Sequence, residues 1–108
     1  MAIGPTLWRV KTRLGYYART TPGLLTRKLV EHPDLKDAGN LKAKVGLCLR
    51  KPVEVRESTS ENGTHLYYLP FGDKFFCVTV LYRGNQSFIK TLHLAKKIRV
   101  GNVLYNVL

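Results

Sequence analysis

At 108 residues, with 44% hydrophobic and 23% charged side chains, the chain has the length and composition of one globular domain rather than of a disordered or fibrous protein. No apolar run approaches the roughly 18–20 residues that span a bilayer, and the N-terminus has no signal-peptide h-region, so no membrane insertion is expected. Eighteen Lys and Arg against seven Asp and Glu give a net charge of +11, which points to a polyanionic partner.

In chain order, Leu7, Val10 and Leu14 have the spacing of a short amphipathic helix, with an ordered arm as the alternative, and Gly15 and Pro22-Gly23 punctuate the chain beyond it. Leu24 to Val30 reads as a helix ending before Pro33. A third helix, capped by Asp34 or Asp37, runs to about Arg50 with Leu41, Val45, Cys48 and Leu49 on one stripe, and Pro52 ends it. Val53-Glu54-Val55-Arg56-Glu57 then alternates as a half-buried strand. Residues 58–63 form a polar loop, 64–69 a strand, 70–73 a turn, 74–82 a strand rich in aromatic and β-branched residues, 83–85 a tight turn, and 86–94 a last strand. The expected fold class is α+β, with N-terminal helices packed on a four-stranded antiparallel sheet, over a single domain spanning 1–108.

The charge is sorted along the chain. Residues 1–30 carry six basic and no acidic groups, residues 31–82 carry seven of each, and residues 83–108 carry five basic and none acidic. All the net charge therefore lies in the two ends, as a phosphate-binding surface requires; a solvated basic shell and an anionic membrane surface are the alternatives. The segment holding Arg9, Lys11, Arg13 and Arg19 either tracks a phosphate backbone or stays a solvated arm. Cys48 and Cys77 read as small buried hydrophobes, which suggests a reducing compartment or chance, and whether they pair stays open. His32, His65 and His93 come with no metal-ligand spacing, so no metal and no cofactor are expected. His32, beside Pro33, reads as a surface or capping residue.

Strand alternation divides the sheet residues into two sets. Leu66, Tyr68, Phe76, Val78, Val80, Phe88, Leu92 and Leu94 form the expected core. His65, Tyr67, Cys77, Thr79, Ser87, Ile89, Thr91 and His93 form the second face. Lys90 falls in the core set and is expected to reach out from a strand edge. Histidines and threonines on a wet sheet face are as readily solvated filler as a site. Here Lys90, Lys96, Lys97 and Arg99 flank the histidines, and no carboxylate side chain occurs after Asp73. Two imidazoles beside cations suit metal-free RNA cleavage. That reaction needs a base for the 2'-hydroxyl, an acid for the leaving 5'-oxygen, and positive charge for the phosphorane.

The run Pro52-Val53-Glu54-Val55, His65-Leu66-Tyr67-Tyr68, Phe76 to Val80, Phe88-Ile89-Lys90-Thr91-Leu92-His93 and Lys97-Ile98 resembles the barnase/EndoU/colicin/RelE-like ribonuclease superfamily, in its phage and contact-dependent toxin branches. The resemblance covers about residues 31–101 as a nuclease-like core and leaves 1–30 as a basic arm or helix. It implies a metal-independent endoribonuclease of bacterial or phage origin acting on RNA, tRNA among the substrates. It further implies a cytoplasmic site of action, native or after delivery into a target cell, and an acidic immunity or antitoxin partner. On this resemblance His65 and His93 share the acid and base roles, Thr91 orients the phosphate, and Lys96 or Lys90 stabilises charge. Tyr67, Arg83, Lys90, Lys97 and Arg99 would contact the RNA. A non-catalytic RNA- or DNA-binding domain on the same scaffold is the alternative, and a phage structural or protein-interaction module a third.

Overall fold

Alternation between charge and apolar bulk decides more of this chain than helical spacing does. In the computed structural model, which describes residues 8–20 and 22–107, Trp8–Lys11 (β1) and Tyr17–Thr20 (β2) form an antiparallel hairpin with Val10 opposite Ala18 and Arg9 opposite Arg19. Val10, Thr12, Ala18 and Thr20 are buried while Arg9, Lys11 and Tyr17 face solvent. The helix or arm expected at the N-terminus is thus a hairpin. Val10 and Leu14 fit a helical spacing, but Arg9 and Lys11 sit on alternate positions, and an extended chain turns both to water while burying Val10 between them. Residues 1–7 of the basic N-terminal segment, Leu7 of the expected stripe included, lie outside the described residues.

The helix Pro22–Glu31 (α1) ends before Pro33, as its sequence dictates. A 3-10 turn over Pro33–Ala38 then places Leu35, fully buried, in the core. The second helix, Leu41–Arg50 (α2), starts later than an Asp34 or Asp37 cap would have it. Asn40 caps it instead, its side chain accepting the Ala43 N–H at 3.1 Å. Val45, Cys48 and Leu49 form its buried stripe.

Five further strands complete the fold: Glu54–Ser58 (β3), Thr64–Phe71 (β4), Lys74–Leu81 (β5), Phe88–Ala95 (β6) and Gly101–Asn106 (β7). All seven form one sheet in the order β1-β2-β6-β5-β4-β3-β7, antiparallel except where Arg19 of β2 pairs in parallel with Phe88 of β6. This overturns the expected four-stranded antiparallel sheet with N-terminal helices. The N-terminal segment joins the sheet as strands, β7 adds an edge on β3, and the two α-helices lie within residues 22–50. The sequence hid β7 because Val103 and Leu104 are both exposed there, at 53% and 38%, so the strand lacks a clean alternation.

Turn lengths decide which face each side chain takes. Gly72 and Asp73 form a two-residue turn, with Gly72 at φ +62°, which places Phe71 opposite Lys74, Tyr67 opposite Val78 and His65 opposite Val80. Odd positions of β4 therefore share a face with even positions of β5. The expected division of the sheet is inverted for β4: His65 and Tyr67 point to the helix-covered core with Val78, Val80 and Leu92, whereas Leu66 and Tyr68 share the other face with Cys77. A register shift between β5 and β6 opposes Val80 to Ile89, which turns Ile89 inward and leaves Phe88 44% exposed instead of in the core.

Candidate functional site

On the face away from the helices, β5 and β6 set Thr79 opposite Thr91 and Cys77 opposite His93. One residue before Thr91 the ladder bulges, and Lys90 is the extra residue. This is why a lysine stands in what reads as a core position: the bulge frees it from the alternation and aims it outward. Its ammonium reaches Glu61 of the β3–β4 loop at 2.8 Å. Arg99 comes from the β6–β7 connection, fixed where its backbone N–H donates to the Tyr68 hydroxyl at 3.2 Å. That connection closes a small second core, Leu66, Tyr68 and Cys77 with Ile98 packed on them. Thr79, Thr91, His93, Lys90, Glu61 and Arg99 line one cleft of about 250 Å³, whose wall is completed by the β3–β4 loop residues Thr59 and Ser60.

The electrostatics of this cleft favour a neutral imidazole. Burial holds His93 below the ordinary histidine value of 6.5, nearby His32 and Arg99 push the same way, and Asp34 opposes them. Glu61 is held below the usual carboxylate range by the hydrogen bond from Lys90. At neutral pH the cleft thus offers one uncharged ring nitrogen base, two cations, one carboxylate already engaged, and several hydroxyls.

His65 belongs to a different place. It is 6% exposed, on the helix side, its ring stacked on Tyr82 at 5.1 Å between centroids and 14° between planes. The Tyr67 hydroxyl donates to the Tyr16 hydroxyl at 2.7 Å, and Tyr16 in turn meets His65 Nδ1 at 2.8 Å. The Tyr16 hydroxyl therefore stands between the Tyr67 hydroxyl and a ring nitrogen of His65, within hydrogen-bond reach of both. Burial keeps His65 below the ordinary histidine value, with Glu57 opposing, and pushes Tyr67 up to about 12. The chain of three groups ties the β1–β2 hairpin to β4.

Of the residues expected in one site, the fold brings together Thr91, His93, Lys90 and Arg99. It separates His65 and Tyr67, so the two-histidine acid–base pair is not formed, and fully buried Tyr67 does not stack on bases. Lys96 and Lys97 are exposed beyond the end of β6 but do not line the cleft. Arg83 stands at the β5–β6 turn, donating to the Tyr82 carbonyl at 3.2 Å. His32 makes no side-chain capping bond, and its charge is felt at His93. Glu61 escapes a sequence reading because a carboxylate in a polar loop has no periodicity to mark it. Among the described residues no three His, Cys, Asp or Glu side chains gather as a metal site, and Cys48 and Cys77 are buried free thiols. Among them, too, no helix is long and apolar enough to cross a membrane. No protein-family model, no curated protein and no solved structure matches this chain.

Proposed function

We propose that this chain is a metal-independent endoribonuclease whose chemistry lies in the His93 cleft. The observation that carries the proposal is the half-buried, neutral imidazole of His93 set between Thr91, Lys90 and Arg99 on a protein of net charge +11. In this reading the scissile phosphate displaces Glu61 from Lys90 and sits against Lys90 and Arg99, with Thr91 donating to a non-bridging oxygen. His93 takes the 2'-hydroxyl proton as the 2'-oxygen attacks phosphorus. The two cations take up the charge that develops on the phosphorane. Lys90 donates a proton to the departing 5'-oxygen, so that the P–O5' bond breaks as P–O2' forms. The products are a 2',3'-cyclic phosphate and a 5'-hydroxyl, and exchange with water resets His93 and Lys90. The reaction class is the one the sequence resemblance leads one to expect, and an acidic protein is the inhibitor such a basic face would accept.

The test is cleavage of tRNA and mRNA in EDTA, with end mapping. Wild-type protein is expected to leave cyclic-phosphate ends, and His93→Ala and Lys90→Ala to lose roughly 100-fold or more in rate, the usual worth of a general acid or base. Undiminished cleavage by folded His93→Ala overturns the assignment of the base. Salt-sensitive RNA binding with no cleavage by the wild type overturns the enzyme and leaves the binding domain.

A further inference from the structure

The His93 cleft is one of three hollows that share their walls. Lys90 also lines a hollow of about 520 Å³ between β6 and α1, together with Phe88, Leu24, Arg27 and Arg19. Arg19 in turn lines a third hollow, of about 390 Å³, with Arg9 and Tyr17. The sheet explains the alignment. Arg9 pairs with Arg19 and Arg19 with Phe88, so all three point to the face that also carries Thr91 and His93, and Tyr17 lies two residues from Arg19 on that face. Phe88 and Tyr17 are 44% and 48% exposed, unusual for rings of this size, and the Arg9 guanidinium lies 4.8 Å from the Tyr17 ring centre. No acidic residue lines the second or third hollow.

We infer that these hollows form a track for single-stranded RNA leading away from the cleft, with bases stacking on Phe88 and Tyr17 and phosphates held by Lys90, Arg27, Arg19 and Arg9. The inference rests on the ribonuclease reading of the cleft and names the form of its substrate. Cations alternating with exposed rings are what a splayed strand needs: charge for each phosphate and a π-face for each base. Tyr17 and Phe88 stand diagonally across the β2–β6 seam, Phe88 at the bridge to Arg19 and Tyr17 two residues before Arg19, so each can take a base of one extended strand. A duplex, with its bases already stacked and paired, gains nothing from the rings. A protein partner would match the charge but not this alternation.

The experiment uses fluorescently labelled, uncleavable 2'-O-methyl RNA, a dinucleotide and a hexanucleotide, with binding followed by anisotropy between about 50 and 200 mM salt. The hexanucleotide is expected to bind more tightly than the dinucleotide. Phe88→Ala should weaken hexanucleotide binding roughly tenfold, with Phe88→Tyr restoring it, since one base–ring stack is worth about that much. Arg27→Gln should weaken binding and lower the salt slope by about one. Hexanucleotide affinity unmoved by Phe88→Ala and Arg27→Gln, beside continued RNA cleavage by the wild type, overturns the track and spares the cleft. Equal affinity for duplex, or for polyglutamate, also overturns it. A wild-type protein that neither binds nor cleaves RNA overturns the reading beneath it.

Discussion

Substituting His65 separates a structural histidine from a catalytic one. His65→Phe keeps a ring against Tyr82, where the native rings stack at 5.1 Å, and removes the ring nitrogen that meets the Tyr16 hydroxyl. The part-buried Tyr16 hydroxyl then faces carbon in place of that nitrogen, and losing the hydrogen bond costs about 1–3 kcal/mol. His65→Ala removes the ring as well, in a position only 6% exposed, and by the usual penalty for emptying an aromatic site costs about 3–5 kcal/mol. At roughly 4–8 °C per kcal/mol for a domain of this size, the phenylalanine variant should melt roughly 4–24 °C lower and the alanine variant lower still. Urea unfolding followed by far-UV circular dichroism, at about pH 7.5 where free histidine is neutral, measures both. An alanine variant with the wild-type midpoint and slope refutes the placement of His65 under the helices. The same residue sets a pH dependence. Burial depresses both His65 and His93, so the unfolded chain binds more protons than the folded one just below the ordinary value of 6.5. The stability they contribute is present above 6.5 and is lost as pH falls below it through the depressed values. His65→Phe should shrink that loss to the part due to His93.

Asn40→Ala removes the side chain that accepts the Ala43 N–H and should cost about 1 kcal/mol by urea titration, with no change in slope. Gly101→Ala should free β7 from β3, because a Cβ there would lie 2.5 Å from the Glu57 carbonyl oxygen; loss of amide-exchange protection confined to residues 54–58 and 101–106 is the readout. Both thiols should resist a soluble disulfide reagent until the chain unfolds, since Cys48 is fully buried and burial pushes Cys77 up to about 12. Prompt labelling of either in the native state contradicts its placement.

What the sequence carries openly is periodicity. The strands from Glu54 to Ala95 and the stripe of Val45, Cys48 and Leu49 are legible from it directly, because each buries one face against one partner. Relations between elements are less open. A two-residue turn at Gly72-Asp73 and a three-residue turn in its place would give the same pattern of alternation, yet they put His65 on opposite faces. The bulge at Lys90 left a visible trace, a lysine in a core position, but nothing in composition tells a bulge from an edge. The hairpin at residues 8–20 carries both a helical and an alternating pattern. It is decided by a partner strand, β6, that lies far along the chain. Of the candidate cleft, Thr91, His93, Lys90 and Arg99 are accessible through the clustering of cations around a histidine. Glu61 and Phe88 needed the three-dimensional register.

The parallel contact between Arg19 and Phe88 also joins strands that lie far apart in the chain. The β1–β2 hairpin precedes β3 to β7 in chain order, yet its neighbour in the sheet is β6; its turn is anchored earlier by the Arg13 N–H, donated to the Leu49 carbonyl at 2.8 Å, and by Tyr16 against Tyr67 and His65 of β4. An isolated two-stranded ribbon is marginal in water, and closing so long a loop is slow. The meander of β3 to β6, closed by short connections, is therefore expected to form first, with the cationic hairpin docking onto it. Docking buries Val10 and Ala18 but leaves Arg9 and Lys11 in solvent, so the ribbon offers the same charge to a polyanion before and after it joins the sheet.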